Sequence, residues 1–136
     1  MKVLVDTAIW SYAFRSKNAD FEAHVETLKS LILNDRVLMI GAIRQEVLSG
    51  YSDLSRFETL RQKLSGFENT PILDDDYIQA AKFSNVCRQK GVQGSHVDFL
   101  ICAVAVRLNV EIFTTDKDFD FYQQHLPVKL HRIAYT

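Results

Sequence analysis

A chain of 136 residues and 15.6 kDa is long enough to bury a core of its own, and residues 1–136 are expected to form a single domain. Hydrophobic residues at 47% and charged residues at 24% exclude an intrinsically disordered chain. A formal net charge of −1 excludes the strongly basic class of nucleic-acid binders, while leaving room for a basic patch beside an acidic site.

The apolar run Val3 to Val5 ends on Asp6. Apolar residues on both faces of a short strand mark a central strand of a parallel sheet. Asp6 then stands at the carboxyl edge of that sheet, where α/β proteins bind ligands. Residues 7–14 are predicted to turn straight into a short helix with Asp6 or Thr7 at its cap. Residues 20–33 read as an amphipathic helix with Phe21, Val25, Leu28, Leu31 and Ile32 at helical spacing. A second apolar strand spans 36–41, followed by a helix over 42–49 with Ile43, Val47 and Leu48 inward and Gly50 as its stop. Residues 53–64 form a charge-rich helix with Leu54, Phe57, Leu60 and Leu64 on one face.

Residues 69–73 are predicted to be a short strand, and Asp74 to open a helix running to Gly91, with Asp74, Asp75 and Asp76 as a charge cluster at its start. Ser95 caps a helix that is apolar nearly all round, from Val97 to Leu108, and that helix should be the most buried. A strand over 110–115, a short helix to His125 and an edge strand over 128–133 close the chain. Strands alternating with helices give a three-layer α/β/α domain with a mostly parallel central sheet.

The two cysteines, Cys87 and Cys102, lie in helical patterns with no C-x-x-C spacing, and read as buried free thiols of a reducing cytoplasm. The apolar stretch 95–110 is too short to cross a bilayer, and Asp6 interrupts the first apolar run before it can form a signal-peptide core. A cytoplasmic protein with no membrane partner is expected.

Acids recur where such a sheet brings side chains together. Asp6 ends the first strand, Glu46 lies one turn into the helix after the second, Asp98 is in the first turn of the most buried helix, and Asp116 follows the strand 110–115, with Asp118 beyond it. Singly, each has a structural reading. Asp98 completes a capping box with Ser95, Asp116 and Asp118 can cap the helix at Phe119, and Glu46 can be a solvated helix acid. Together they need something to offset their repulsion, about 4 kcal/mol for two like charges ~4 Å apart at an effective dielectric of 20. Hard oxygen ligands without a dedicated His or Cys suit Mg2+ or Mn2+. His96, near Asp98, reads as a surface or capping residue.

Val5-Asp6-Thr7 with Trp10, residues 46–50, residues 98–105 and Thr114-Thr115-Asp116-Lys117-Asp118-Phe119 resemble the motifs of the PIN-domain nucleases, and among them the VapC-type toxins of bacterial toxin–antitoxin pairs. The resemblance covers nearly the whole chain in the family's order and spacing. It implies that Asp6, Glu46, Asp98 and Asp116 are the metal-binding and catalytic quartet, with Asp118 accessory and Thr7 or Thr114 a supporting hydroxyl. Cys102 departs from the small residue usual at its position and should be silent. The resemblance also implies an RNA substrate, a cognate antitoxin protein laid along a groove, and pairing with a second copy of the chain.

The chemistry expected of such a site is metal-assisted phosphodiester hydrolysis leaving a 5′-phosphate and a 3′-hydroxyl, without a histidine base. Arg15, Lys17, Arg44 and Lys117 are candidate cations for the RNA backbone. Trp10, Tyr12 and Phe14, with the helices over 20–33 and 53–64, are expected to line the antitoxin groove. Two other classes fit less of the sequence. A degenerate PIN domain that only binds protein would not need the intact quartet, and a phosphoryl-receiver domain would need an acidic pair after an early strand where Asp6 stands alone.

Overall fold

The computed structural model describes residues 1–15 and 19–133. At its centre is β1 (Val3–Val5), whose three side chains are all fully buried, as a strand covered on both faces requires. It pairs in parallel with β2 (Val37–Leu38) on one side and β3 (Glu111–Phe113) on the other, giving the order β2-β1-β3. The register sets Leu4 beside Leu38 and Ile112, and the Asp6 N–H continues the ladder to Phe113 O at 2.9 Å. All the described pairings are parallel, and helices covering the sheet complete the α/β/α architecture.

The sheet is smaller than the sequence suggests. The expected strand 69–73 reduces to one parallel bridge between Asn69 and Met39. Pro71 has no N–H to give to a ladder, and the Leu73 N–H is taken by the Asp76 carboxylate at 2.8 Å, so this backbone serves the next helix instead. The strand 128–133 likewise reduces to a bridge at Leu130, held by Ile112 N to Lys129 O and His131 N to Ile112 O, each 2.8 Å.

The helices follow the predicted order: α1 (Thr7–Phe14), α2 (Glu22–Leu33), α3 (Gly41–Ser49), α4 (Leu54–Leu64), α5 (Asp74–Gln89), α6 (His96–Leu108) and α7 (Asp118–Gln123), with a 3-10 turn at Ala19–Phe21 leading into α2. The most buried is α6, every residue from Phe99 to Ala105 being buried. Gly91, after α5, is a left-handed stop with φ 77°. Gly50 is not: its φ is −77°, and what its missing side chain provides is space for the Arg15 guanidinium, which a Cβ would meet at 2.5 Å.

One expectation about apolar surface is corrected. Trp10 is fully buried, donating its indole N–H to Val5 O at 3.2 Å and packing edge-on against Phe67, so it belongs to the core and not to an open groove. Ile32 and Leu54, on the apolar stripes of α2 and α4, are exposed. An open cleft of about 760 Å3 does run between the end of α1 and α4, but Phe14, Tyr51 and Leu60 share its walls with Arg15, Arg56 and Lys63.

Candidate metal centre

The acids singled out in the sequence converge at the carboxyl edge of β1 and β3. Asp6 leaves β1 as the cap of α1, accepting the Thr7 N–H on Oδ1 at 2.8 Å and the Thr114 hydroxyl on Oδ2 at 2.8 Å. The same Thr114 hydroxyl accepts the Asp116 N–H at 3.0 Å, so one oxygen ties the ends of two neighbouring strands. Asp116 Oδ1 in turn accepts the Asp118 N–H at 2.9 Å, which is the cap-like role its spacing allowed. Glu46, on the exposed side of α3, accepts the Thr7 hydroxyl at 2.7 Å on Oε1. Both threonines expected to support the site therefore touch an acid of the cluster.

Asp98 behaves as half of the predicted capping box. Ser95 caps α6 by accepting the Asp98 N–H at 3.0 Å, but the Asp98 carboxylate accepts the Tyr122 hydroxyl at 2.6 Å on Oδ2. Asp98, Asp116 and Asp118 each offer a carboxylate oxygen within 4.8 Å of the others. Asp6 and Glu46 complete the group electrostatically: the charges of Asp98 and Glu46 act on Asp6, and those of Asp116 and Glu46 on Asp98.

Burial, more than hydrogen bonding, sets the protonation of the inner members. Asp6 is pushed up to about 6, first by burial and then by the Asp98 and Glu46 charges, against the pull of its Thr114 and Thr7 hydrogen bonds. Asp98 is raised for the same first reason, with Asp116 and Glu46 adding to it and the Tyr122 and Ser95 hydroxyls opposing. Among the described residues no Lys or Arg makes an ion pair with any of the five acids. A cleft of carboxylates held by neutral donors and left without a cation fits a hard divalent ion in ligand type and in charge.

The surrounding side chains sort differently from expectation. Arg44, a candidate for RNA contact, is spent on structure: it donates to Asn69 Oδ1 at 3.0 Å, Leu64 O at 2.9 Å and Phe67 O, closing the loop after α4. Lys117 is exposed beside Asp116, Arg15 lies in the cationic cleft, and Lys17 is outside the described residues. Asp118 opens α7, and Asp120 is taken up by Arg132, which pairs with it at 3.0 Å. Cys102 is fully buried, and burial together with the Asp98 charge pushes its thiol far above the ordinary range, so it stays protonated and inert. Tyr122 is the site residue that the sequence reading missed. Its signal was a buried phenol one helical turn after Phe119, since such a hydroxyl needs a partner.

The profile of the PIN domain family matches residues 3–123. Ribonuclease VapC11 of Mycobacterium tuberculosis is 31% identical over 120 residues, covering 87% of this chain and 89% of its own length. Among solved structures, FitAcB from Neisseria gonorrhoeae superposes with a TM-score of 0.76 at 20% identity, covering 96% of each chain. VapBC-5 of Mycobacterium tuberculosis, from the VapBC family of toxin–antitoxin systems, gives 0.69 at 18% identity over 98% of this chain and 100% of its own. At those identities the two structures speak for the fold alone.

Proposed function

The chain belongs to the PIN domain family, and from that membership we propose that residues 1–136 act as one metal-dependent endoribonuclease domain, the toxin of a type II toxin–antitoxin pair. The observation that carries this reading is the gathering of Asp6, Glu46, Asp98, Asp116 and Asp118 in one cleft without a Lys or Arg partner among the described residues. The ribonuclease name of the 31% identical relative supports the substrate.

In this reading Asp6, Glu46, Asp98 and Asp116 hold the ion and Asp118 assists, with Mg2+ or Mn2+ as the natural choices for an all-carboxylate set. A divalent ion bound there supplies a more acidic water and stabilises charge developing on the phosphodiester. The chain's own residues supply orientation. Thr7 fixes Glu46, Thr114 fixes Asp6 against the Asp116 backbone, and the Thr7 N–H holds the second oxygen of Asp6. Burial on the β1 side keeps bulk water from the Asp6 carboxylate. The protein works in the cytoplasm as a homodimer and is silenced by a cognate antitoxin.

The test is cleavage of a labelled single-stranded RNA with Mg2+ or Mn2+ and after chelation. Cleavage that needs the ion and leaves 5′-phosphate and 3′-hydroxyl ends is expected. Cleavage that persists in chelator, or ends bearing a 2′,3′-cyclic phosphate, would overturn the reading.

A further inference from the structure

Tyr122 has no exposed surface, and its ring is wedged between Phe99 at 5.0 Å and Phe119 at 5.1 Å between centroids. A ring so confined can place its hydroxyl in only one spot, and that spot is on Asp98 Oδ2 at 2.6 Å. Gly94 makes the room. A Cβ there would run into the Tyr122 hydroxyl and come within 2.7 Å of Cζ and 2.9 Å of Cε1. The colliding atoms belong to a buried ring, not to the free end of a flexible chain, so they have nowhere to retreat. Gly94 also directly precedes Ser95, the cap of α6, so the loop that starts the helix of Asp98 is the loop that seats the tyrosine.

The choice of donor is informative. A buried phenol is satisfied by any acceptor, and a backbone carbonyl would do. Here it reaches an acid of the cluster and brings no positive charge, so it orients the carboxylate without neutralising it. Donors of this kind behind a ligand are what hold a metal site in register.

We propose that Tyr122, seated in the notch left by Gly94, is a positioning residue that fixes the Asp98 carboxylate for divalent-ion binding. The inference rests on the metal-dependent reading above. Tyr122→Phe removes the hydroxyl and keeps the ring, and Gly94→Ala displaces the hydroxyl while leaving Tyr122 in the chain.

Calorimetric titration of the full chain with Mn2+ is expected to show roughly tenfold weaker binding for Tyr122→Phe, with Gly94→Ala weakened in the same direction. In RNA cleavage the Mn2+ concentration for half-maximal rate should rise by a similar factor, while the rate at saturating Mn2+ stays close to wild type. Damage to the fold would instead lower the maximal rate and leave the half-saturation point in place. If Tyr122→Phe does not fold, Gly94→Ala carries the same expectation. Wild-type Mn2+ affinity in the folded variants, or a lowered maximal rate at unchanged half-saturation, overturns the role of Tyr122 alone. A wild-type chain that takes up no Mn2+ overturns the metal reading as well.

Discussion

Among the described residues Asp6 and Asp76 are the two buried charged ones, at 6% and 2% exposed, and the fold treats them in opposite ways. Asp76, in the first turn of α5, meets Arg107 from the last turn of α6 in a two-pronged contact, Nε to Oδ1 at 2.8 Å and Nη2 to Oδ2 at 3.0 Å, while also accepting the Leu73 N–H. Burial would raise it, but the Arg107 hydrogen bond and charge, together with the Leu73 N–H, outweigh burial and hold it below the usual carboxylate range. Asp6 has only neutral donors, and burial wins. Depth alone therefore does not distinguish a site from a structural acid. The presence or absence of a resident cation does, and a carboxylate kept without one has a vacancy of charge that a ligand can fill.

The comparison is broken most severely by neutralising the acids. Asp6→Asn, Glu46→Gln, Asp98→Asn and Asp116→Asn should each lower RNA cleavage by about a thousandfold, roughly 4 kcal/mol of barrier. Circular dichroism should show an intact fold. Asp118→Asn should cost less than the other four. Wild-type rates in two or more of those four would sink the assignment.

Arg107→Met should act on the other region, destabilising the fold by about 3 kcal/mol, because it leaves the Asp76 carboxylate buried without its partner. Denaturant unfolding reads this directly. A loss below 1 kcal/mol would mean that Asp76 finds solvent when released.

The two acids also predict opposite pH slopes. The folded pKa of Asp6, about 6, lies above its unfolded 3.8, so the folded chain holds the extra proton between those values. Metal-free stability should therefore fall as pH rises from about 4 to about 6, by at most roughly 3 kcal/mol from this residue. Asp98 is shifted the same way and adds to it. Asp76 is shifted downward, so its contribution is present above its unfolded pKa and is lost as pH falls below it. Urea titrations in chelator should show the first slope, and Asp6→Asn should flatten it. An unchanged slope in that variant would remove Asp6 as its source.

The smallest effect sharpens the contrast through binding. A hundredfold excess of Mg2+ or Mn2+ over its Kd should stabilise the folded chain by about 2.7 kcal/mol. Asp98→Asn should reduce that gain and raise the metal-free melting temperature slightly, by relieving repulsion. No melting shift with either ion would count against a carboxylate metal site.

Much of this site was legible before any coordinates. The all-apolar β1 ending on Asp6, the capping serine before Asp98, and the Thr114-to-Asp118 run all announce themselves through local rules: strand burial, helix start and turn chemistry. Period and capping act over a few residues, so a linear reading can recover them. The identity of each acid's partner is not local. Arg107 lies 31 residues from Asp76, Tyr122 lies 24 from Asp98, and Arg44 reaches a loop 20 or more residues away. Asp74, Asp75 and Asp76 read alike in sequence, yet only Asp76 is buried, because side-chain direction on α5 points it at the end of α6. Trp10 follows the same logic, drawn into the core against Phe67, whereas the backbone around Pro71 leaves the sheet for a local reason, the pull of Asp76 on the Leu73 N–H. The sequence by itself determined the helices, the three central strands and where acids end them. Packing alone decided which acids meet a cation and which are left to meet each other, since that depends on side chains the fold brings together from opposite ends of the chain.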